Sequence, residues 1–399
     1  MDAMDVLIVG AGLAGARCGE ALRSNGYDGS VLLAGDEPHA PYERPALSKG
    51  LLLGTRTDDS LAQRPGGFWA DQAIEVSWGA RVTDIDLHGR TAMVGSRTTR
   101  WRHLVVATGA RARSLPGLAA LAGVHHLRSL DDARALREDL KPGARLVVIG
   151  AGFVGAEVAS TARELGLDVA MIEDAPIPLA RVLGPEAGGR MAARIRDHGV
   201  DLRLGARVTR LLEAAGRVTG VELADGERIA CDVVLIGVGA VPNADLSIVG
   251  SLARAEDGGI VTDACGRTEH PGVFACGDVA SAWRPDLERH SRREHWTAAS
   301  SGARAVAGAI AGIARPDDSE SFFWSDQFGC RIQMVGESGA HLDAELCDEA
   351  GDGFVVRYRD SGGRLRGGLA VNRPDALAPI RGEMRASEPM RRGPATGVV

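Results

Sequence analysis

Gly10-Ala-Gly12-Leu-Ala-Gly15 and Gly150-Ala-Gly152-Phe-Val-Gly155 are the two stretches on which the fold turns. Each follows a short apolar run, 6–10 and 145–150, and opens a segment of helical spacing, 13–26 and 153–166. A second short strand follows each, at 30–34 and 168–172. The spacing predicts β-α-β twice. In such a unit Gly10 or Gly150 makes the tight turn and Gly12 or Gly152 lets backbone approach a pyrophosphate. Gly15 or Gly155 lets helix and strand pack closely. The N–H groups of Leu13 and Ala14, or of Phe153 and Val154, then offer partial positive charge to phosphate oxygens.

An acid ends each second strand, where ribose hydroxyls would lie: Asp36 with its neighbour Glu37, and Glu173 followed by Asp174. A carboxylate accepts bonds from a free 2′-hydroxyl and repels a 2′-phosphate. At ~5 Å and an effective dielectric of about 20, that repulsion is about 3 kcal/mol per unit charge before screening. No basic residue stands at Glu173 or just after it, although Arg181 can approach from the following loop. The second site is therefore expected to take NAD(H) rather than NADP(H). Two dinucleotide sites in one chain have one economical reading: FAD resident in the first, NADH visiting the second, with hydride passing between the rings.

Composition narrows the class. The chain has 399 residues and a net charge of −7, which argues against general nucleic-acid binding. Lysine occurs only at 49 and 141, so nearly all positive charge is arginine. No apolar run is long enough for a transmembrane helix and no signal peptide is read at 1–5, so a cytoplasmic protein is expected. Six cysteines are scattered without a C-x-x-C pair or a metal-ligand cluster, and are read as reduced buried thiols. No metal site is expected.

Further along, 208–212 and 218–223 flank a turn at Gly216. The runs 233–237 and 273–276 are expected to be buried parallel strands, and 295–312 an Ala-rich helix. From Phe322 the pattern changes to short alternating strands at 331–335, 354–358 and 365–371, read as a third domain. Residues 385–399 are expected to fray.

Three further segments resemble the two-dinucleotide flavoproteins of the glutathione-reductase-like fold: Val105-Val-Ala107-Thr108-Gly109, Cys276-Gly277-Asp278, and Leu235-Ile-Gly237-Val-Gly239-Ala-Val-Pro242-Asn243. The stretch Pro41-Tyr-Glu-Arg44-Pro-Ala-Leu-Ser-Lys49, with Glu294-His295-Trp296 and Phe323-Trp324-Ser-Asp-Gln327, is similar to the ferredoxin reductases of bacterial cytochrome P450 and Rieske oxygenase systems, the putidaredoxin- and rhodocoxin-reductase-like family. Apoptosis-inducing factors share the loop. Related disulfide reductases and NADH peroxidases keep cysteine in that loop; here 41–49 has none, so no redox disulfide or thiol relay is expected.

The resemblance implies an α/β fold with two doubly wound nucleotide-binding domains and a small α+β C-terminal domain. Residues 1–112 and 242–320 would bind FAD, 113–241 would bind NAD, and 321–384 would form the C-terminal domain. It implies an NADH:ferredoxin oxidoreductase giving single electrons to a [2Fe–2S] ferredoxin. Lys49 and Glu157 would pair at the nicotinamide–flavin contact. Arg44 would clamp FAD phosphate or adenosine, and Asp278 its ribityl or pyrophosphate. Val82, Ala107, Thr108, Gly109, Arg128, Gly237, Gly239, Gly277, His295, Trp296 and Thr297 complete the implied cofactor contacts. The N-terminus of the Trp296 helix would face the flavin, and Trp324 would cover a ring face. Arg289, Arg292 and Arg293 are candidates for steering an acidic ferredoxin. A monomer or weak dimer is expected. The alternatives are an NADH oxidase, a rubredoxin- or monodehydroascorbate-type reductase, or an NADH-controlled interaction protein like the apoptosis-inducing factors.

Overall fold

The computed structural model describes residues 2–118, 121–244, 251–285, 287–317 and 319–386. The expected fraying tail therefore lies, from 387 on, outside the described residues. Contacts divide the chain into two compact units. The first comprises Met1–Pro116, His125–Asp139 and Ile236–Ser319; the second comprises Gly117–Val124, Leu140–Leu235 and Glu320–Val399.

The first unit is built on a seven-stranded sheet. Its parallel half runs Ile74–Ser77, Val31–Ala34, Asp2–Val9, Arg97–Val106 and Val273–Ala275. Thr91–Val94 and Val82–Asp86 extend it antiparallel from Arg97–Val106. Val31–Ala34, Val273–Ala275 and the C-terminal ends of Asp2–Val9 and Arg97–Val106 are apolar because both faces are covered there. Val6, Ile8 and Leu33 face the helices Leu13–Ser24 and Trp296–Ile310. Leu7, Val9 and Leu32 face the opposite core with Trp101 and Ile260. The outgoing segment Ala110–Ala112 and the returning Ala240–Pro242 pair antiparallel, and Arg113 N donates to Gly239 O at 2.9 Å. His125–Asp139, expected in the second nucleotide domain, packs with the first unit. Leu130 and Ala133 are buried against Tyr42, Leu47 and Leu61, and Leu130 N donates to the Tyr42 hydroxyl at 2.9 Å.

In the second unit, Asp201–Leu204, Asp168–Glu173 and Arg145–Ile149 are parallel neighbours, with Val233–Ile236 next in order. The segment from Glu320 falls in the same compact unit as Leu140–Leu235. Its five-stranded antiparallel sheet runs Phe322–Gln327, Cys330–Gly336, Leu365–Val371, Gly353–Arg359, Asp343–Ala350. Alternation assigns its two faces. Ile332, Met334, Val356, Tyr358 and Leu369 pack on Leu183, Ala187 and Met191 of the helix Ala180–Asp197. Val335, Val355 and Ala370 pack on Leu377 and Ile380 of the helix Leu377–Ala386. At Gly184, φ is +80°, so the chain bends there against Tyr358, whose hydroxyl donates to Leu183 O at 2.7 Å.

Candidate functional site

In the first unit the glycine turn sits where Asp2–Val9 ends, between the neighbours Val31–Ala34 and Arg97–Val106. That is the switch point at which an open α/β sheet accepts ligands. Gly10 has φ +111°, and a Cβ there would collide with the Ala107 carbonyl. A Cβ at Gly15 would collide with the Gly10 carbonyl. Both glycines are therefore demanded by the protein's own packing. Gly12 is different: a Cβ on it would meet only the Arg44 Nη2, at 4.0 Å. The open space before Gly12, the helix Leu13–Ser24 with no side-chain cap, and a guanidinium beside it fit a pyrophosphate.

The residues around that space form one polar network. Arg44 pairs with Glu37 at 2.5 Å and donates to Arg128 O, and Tyr42 donates to the other Glu37 oxygen at 2.5 Å. Arg128 pairs with Asp278 at 2.6 Å and donates to Ala110 O at 2.8 Å. Burial works to lower the Arg44 pKa, but Tyr42, Glu37 and Asp278 outweigh it and hold Arg44 above its usual range. Burial pushes the Tyr42 hydroxyl up, so it stays a donor. Glu37 is thus committed to protein partners, while Asp36 is exposed at the end of Val31–Ala34.

Gly277, with φ +75°, lies so close to the first helix that a Cβ would fall 2.7 Å from Ala14 Cβ, which brings Asp278 to that helix's N-terminus. Thr108 and Asn243 exchange hydrogen bonds of 3.0 and 2.9 Å, joining the 107–109 turn to the returning chain beyond Gly237 and Gly239. Val82 is buried in the core with Leu32 and Ala34. Lys49 occupies a wide helical turn, Leu47–Leu51, where Nζ donates to Pro45 O at 3.2 Å.

His295 precedes Trp296 and Thr297 at the start of the Ala-rich helix, which packs on Leu13–Ser24. Trp296 Nε1 donates to Glu43 at 2.8 Å and Arg17 lies over its ring. Burial, then the Arg293 charge, depresses the His295 pKa below its ordinary value.

The arginine run is corrected by the structure. Arg293 forms a part-buried pair with Asp317 at 2.5 Å, and Arg292 is only 13% exposed and bonds Glu294 and the Asp278 carbonyl. Of the three, only Arg289 is exposed. Arg292 and Arg293 hold the loop rather than present charge to a partner.

The second unit repeats the turn. Gly150 has φ +100°, and a Cβ at Gly155 would collide with the Gly150 carbonyl. Gly152 begins the helix Phe153–Glu164, again without a side-chain cap. Here the acid turns back on the loop: Glu173 accepts from Ala151 N at 2.7 Å and Ala175 N at 3.0 Å. Arg181 is exposed in the first turn of the next helix. Val154 is 44% exposed at the mouth of the turn, and Phe153 packs on Phe323, with ring centroids 4.4 Å apart. Glu157 is 7% exposed and accepts from Ser325 Oγ at 2.6 Å. Trp324 stacks with Phe322, centroids 6.0 Å apart.

Ser325, Gln327 and Tyr42 were not singled out as site residues in the sequence. For the first two a signal existed: polar residues alternating with Phe323 on the inward side of a strand demand buried hydrogen-bond partners. No group of acidic, histidine or cysteine side chains among the described residues could hold a metal. None of the six cysteines is disulfide-bonded, and five are buried.

Two glycine-turn dinucleotide pockets and a cysteine-free loop at 41–49 define a flavin- and nicotinamide-dependent oxidoreductase that works without a redox disulfide. Residues 4–303 match the family described as pyridine nucleotide-disulphide oxidoreductase, and residues 322–394 match the reductase C-terminal family. The chain belongs to the first of these families and ends in the second. It is 36% identical to rhodocoxin reductase of Rhodococcus erythropolis over 93% of this chain and 87% of that one. It is 37% identical to the ferredoxin–NAD(+) reductase component of the biphenyl dioxygenase system of Paraburkholderia xenovorans, over 92% and 90%. Putidaredoxin reductase, solved as a covalent complex with putidaredoxin, superposes with a TM-score of 0.91 at 33% identity, covering 96% of this chain and 93% of that one.

Proposed function

We propose that this chain oxidises NADH and delivers electrons singly to a [2Fe–2S] ferredoxin that feeds a cytochrome P450 or Rieske oxygenase. Bound FAD supplies the chemistry that converts one hydride into two single electrons. The protein supplies position and charge. Gly12, the uncapped helix behind it, Arg44, Asp278 and Arg128 hold the flavin dinucleotide; Asp36 takes its ribose. Gly152, Val154 and Glu173 receive NADH, and Glu173 disfavours a 2′-phosphate. Lys49 and Glu157 flank the nicotinamide and set the charge near the ring that receives hydride. Trp324 covers a ring face, and the N-terminus of the helix at Trp296 favours negative charge on the reduced flavin.

The observation that carries the reading is the loop Pro41–Lys49. It joins the flavin network through Tyr42 and Arg44 and offers no sulfur at which electrons could pause. Cys276, which precedes the Gly277–Asp278 segment of the network, is buried, and burial pushes its thiol up to about 12, so it is not poised as a relay. The reading includes a cytoplasmic location. No helix among the described residues is long and apolar enough to cross a membrane.

The test is reduction by NADH of the purified yellow protein, followed by cytochrome c reduction with and without added [2Fe–2S] ferredoxin. Rapid bleaching and a ferredoxin-dependent rate are expected. A rate independent of ferredoxin and matched by oxygen consumption would replace the reading with an NADH oxidase.

A further inference from the structure

We propose that Ser325 and Gln327 are positioning residues for Glu157, so that the C-terminal sheet sets the carboxylate used at the nicotinamide. The proposal rests on the reading of Glu157 given above and concerns what holds it.

The strand Phe322–Gln327 lies on the helix Phe153–Glu164 through its odd-numbered side chains. Phe323 meets Phe153, Ser325 meets Glu157, and just beyond the strand Phe328 N donates to Ser160 Oγ at 2.7 Å. Ser325 is fully buried and Gln327 is 3% exposed. Gln327 Nε2 donates to Ser325 Oγ at 3.0 Å, and Ser325 donates its one proton to Glu157 Oε1 at 2.6 Å. A hydroxyl that accepts from an amide has its proton directed to the remaining partner, so the chain runs Gln327 to Ser325 to Glu157. Its last bond is short and charge-assisted, and sets the position of one Glu157 carboxylate oxygen.

A second observation fits the same polarity. Gln327 Oε1 is buried and has no hydrogen-bond partner among the described residues. An apolar residue at 327 would carry no such penalty. The amide at 327 therefore acts through the hydrogen it donates to Ser325.

The experiment uses the full-length flavin-loaded protein with Ser325→Ala, Ser325→Cys, Ser325→Thr and Glu157→Gln. The cysteine variant keeps a side-chain atom at the γ position if alanine fails to fold, and its thiol is a weak donor. The rate of flavin reduction at saturating NADH is followed by stopped flow, and NAD+ affinity by calorimetry. The Glu157 side chain is located in crystals of each variant. Ala and Cys should slow hydride transfer about 10- to 100-fold through a displaced carboxylate, with affinity within about twofold. Thr, which keeps the donor, should restore the rate to within about threefold.

Wild-type rates in Ala and Cys alongside a slow Glu157→Gln would overturn the positioning role. So would slow variants in which Glu157 has not moved and Thr gives no rescue. A wild-type rate in Glu157→Gln itself would remove Glu157 from the reaction, and this proposal with it.

Discussion

The two glycine turns are close copies in backbone and differ in what surrounds them. Both have a left-handed first glycine, a third glycine pressed on the first, and an uncapped helix. The first turn is ringed by Arg44, Glu37, Tyr42, Arg128 and Asp278, each tied to another. The second has one acid folded back on its own loop and an exposed Val154 at its mouth. A preorganised ring of charge suits a ligand that stays; an open mouth suits one that comes and goes. On the proposed reading the same fingerprint serves a resident in the first unit and a visitor in the second, and neighbouring side chains decide which.

The sharpest way to break this contrast is at Gly12. Gly12→Val fills space that the protein leaves open, so the chain should fold, with unchanged far-UV circular dichroism, yet purify colourless. Gly15→Ala should lose the fold itself, because its Cβ has nowhere to go. A yellow Gly12→Val protein would show that the open space does not hold the pyrophosphate.

A smaller effect is expected at Glu173. Removing it with Glu173→Ala frees Ala151 N and lifts the repulsion on a 2′-phosphate. The kcat/KM ratio for NADH over NADPH should fall about 10- to 100-fold, from repulsion of about 3 kcal/mol partly screened. Flavin content should be unaffected. An unchanged ratio would show that Glu173 does not choose between the two nucleotides.

The smallest effect is on stability. The folded protein holds His295 below its usual pKa, so it resists a proton that the unfolded chain accepts. The His295 contribution is complete above about pH 6.5 and declines as pH falls through that value toward the folded one. Urea midpoints should fall on acidification from about pH 7.5 to about pH 5.5, and less so in His295→Gln. Equal slopes in both proteins would assign the acid sensitivity elsewhere.

The parts legible in the sequence were those with local causes. Glycine turns, the strands feeding them and the alternation after Phe322 depend on neighbours in the chain. The helix Ala180–Asp197 did not announce itself, because Gly184, Pro185, Gly188 and Gly189 break any helical pattern. It forms because Leu183, Ala187 and Met191 cover the C-terminal sheet. The acid-rich strand Asp343–Ala350 was silent for the opposite reason: an exposed edge needs little hydrophobic signal. Which of Asp36 and Glu37 stays available was not readable, since Arg44 chooses through space. The same holds for Arg292 and Arg293, whose burial depends on Asp278, Asp317 and Glu294.

The strand Val273–Ala275 pairs with Leu104–Val106, and Asp278 closes on Arg128. A ribosome therefore releases the glycine turn near the start of synthesis but not the groups that complete its pocket. Those arrive only after Asp278 has emerged, when the second glycine turn is already outside. Such distant pairings form slowly. On the proposed reading, the pocket that takes the flavin is completed late in synthesis, and a truncation before Asp278 would remove the partner of Arg128.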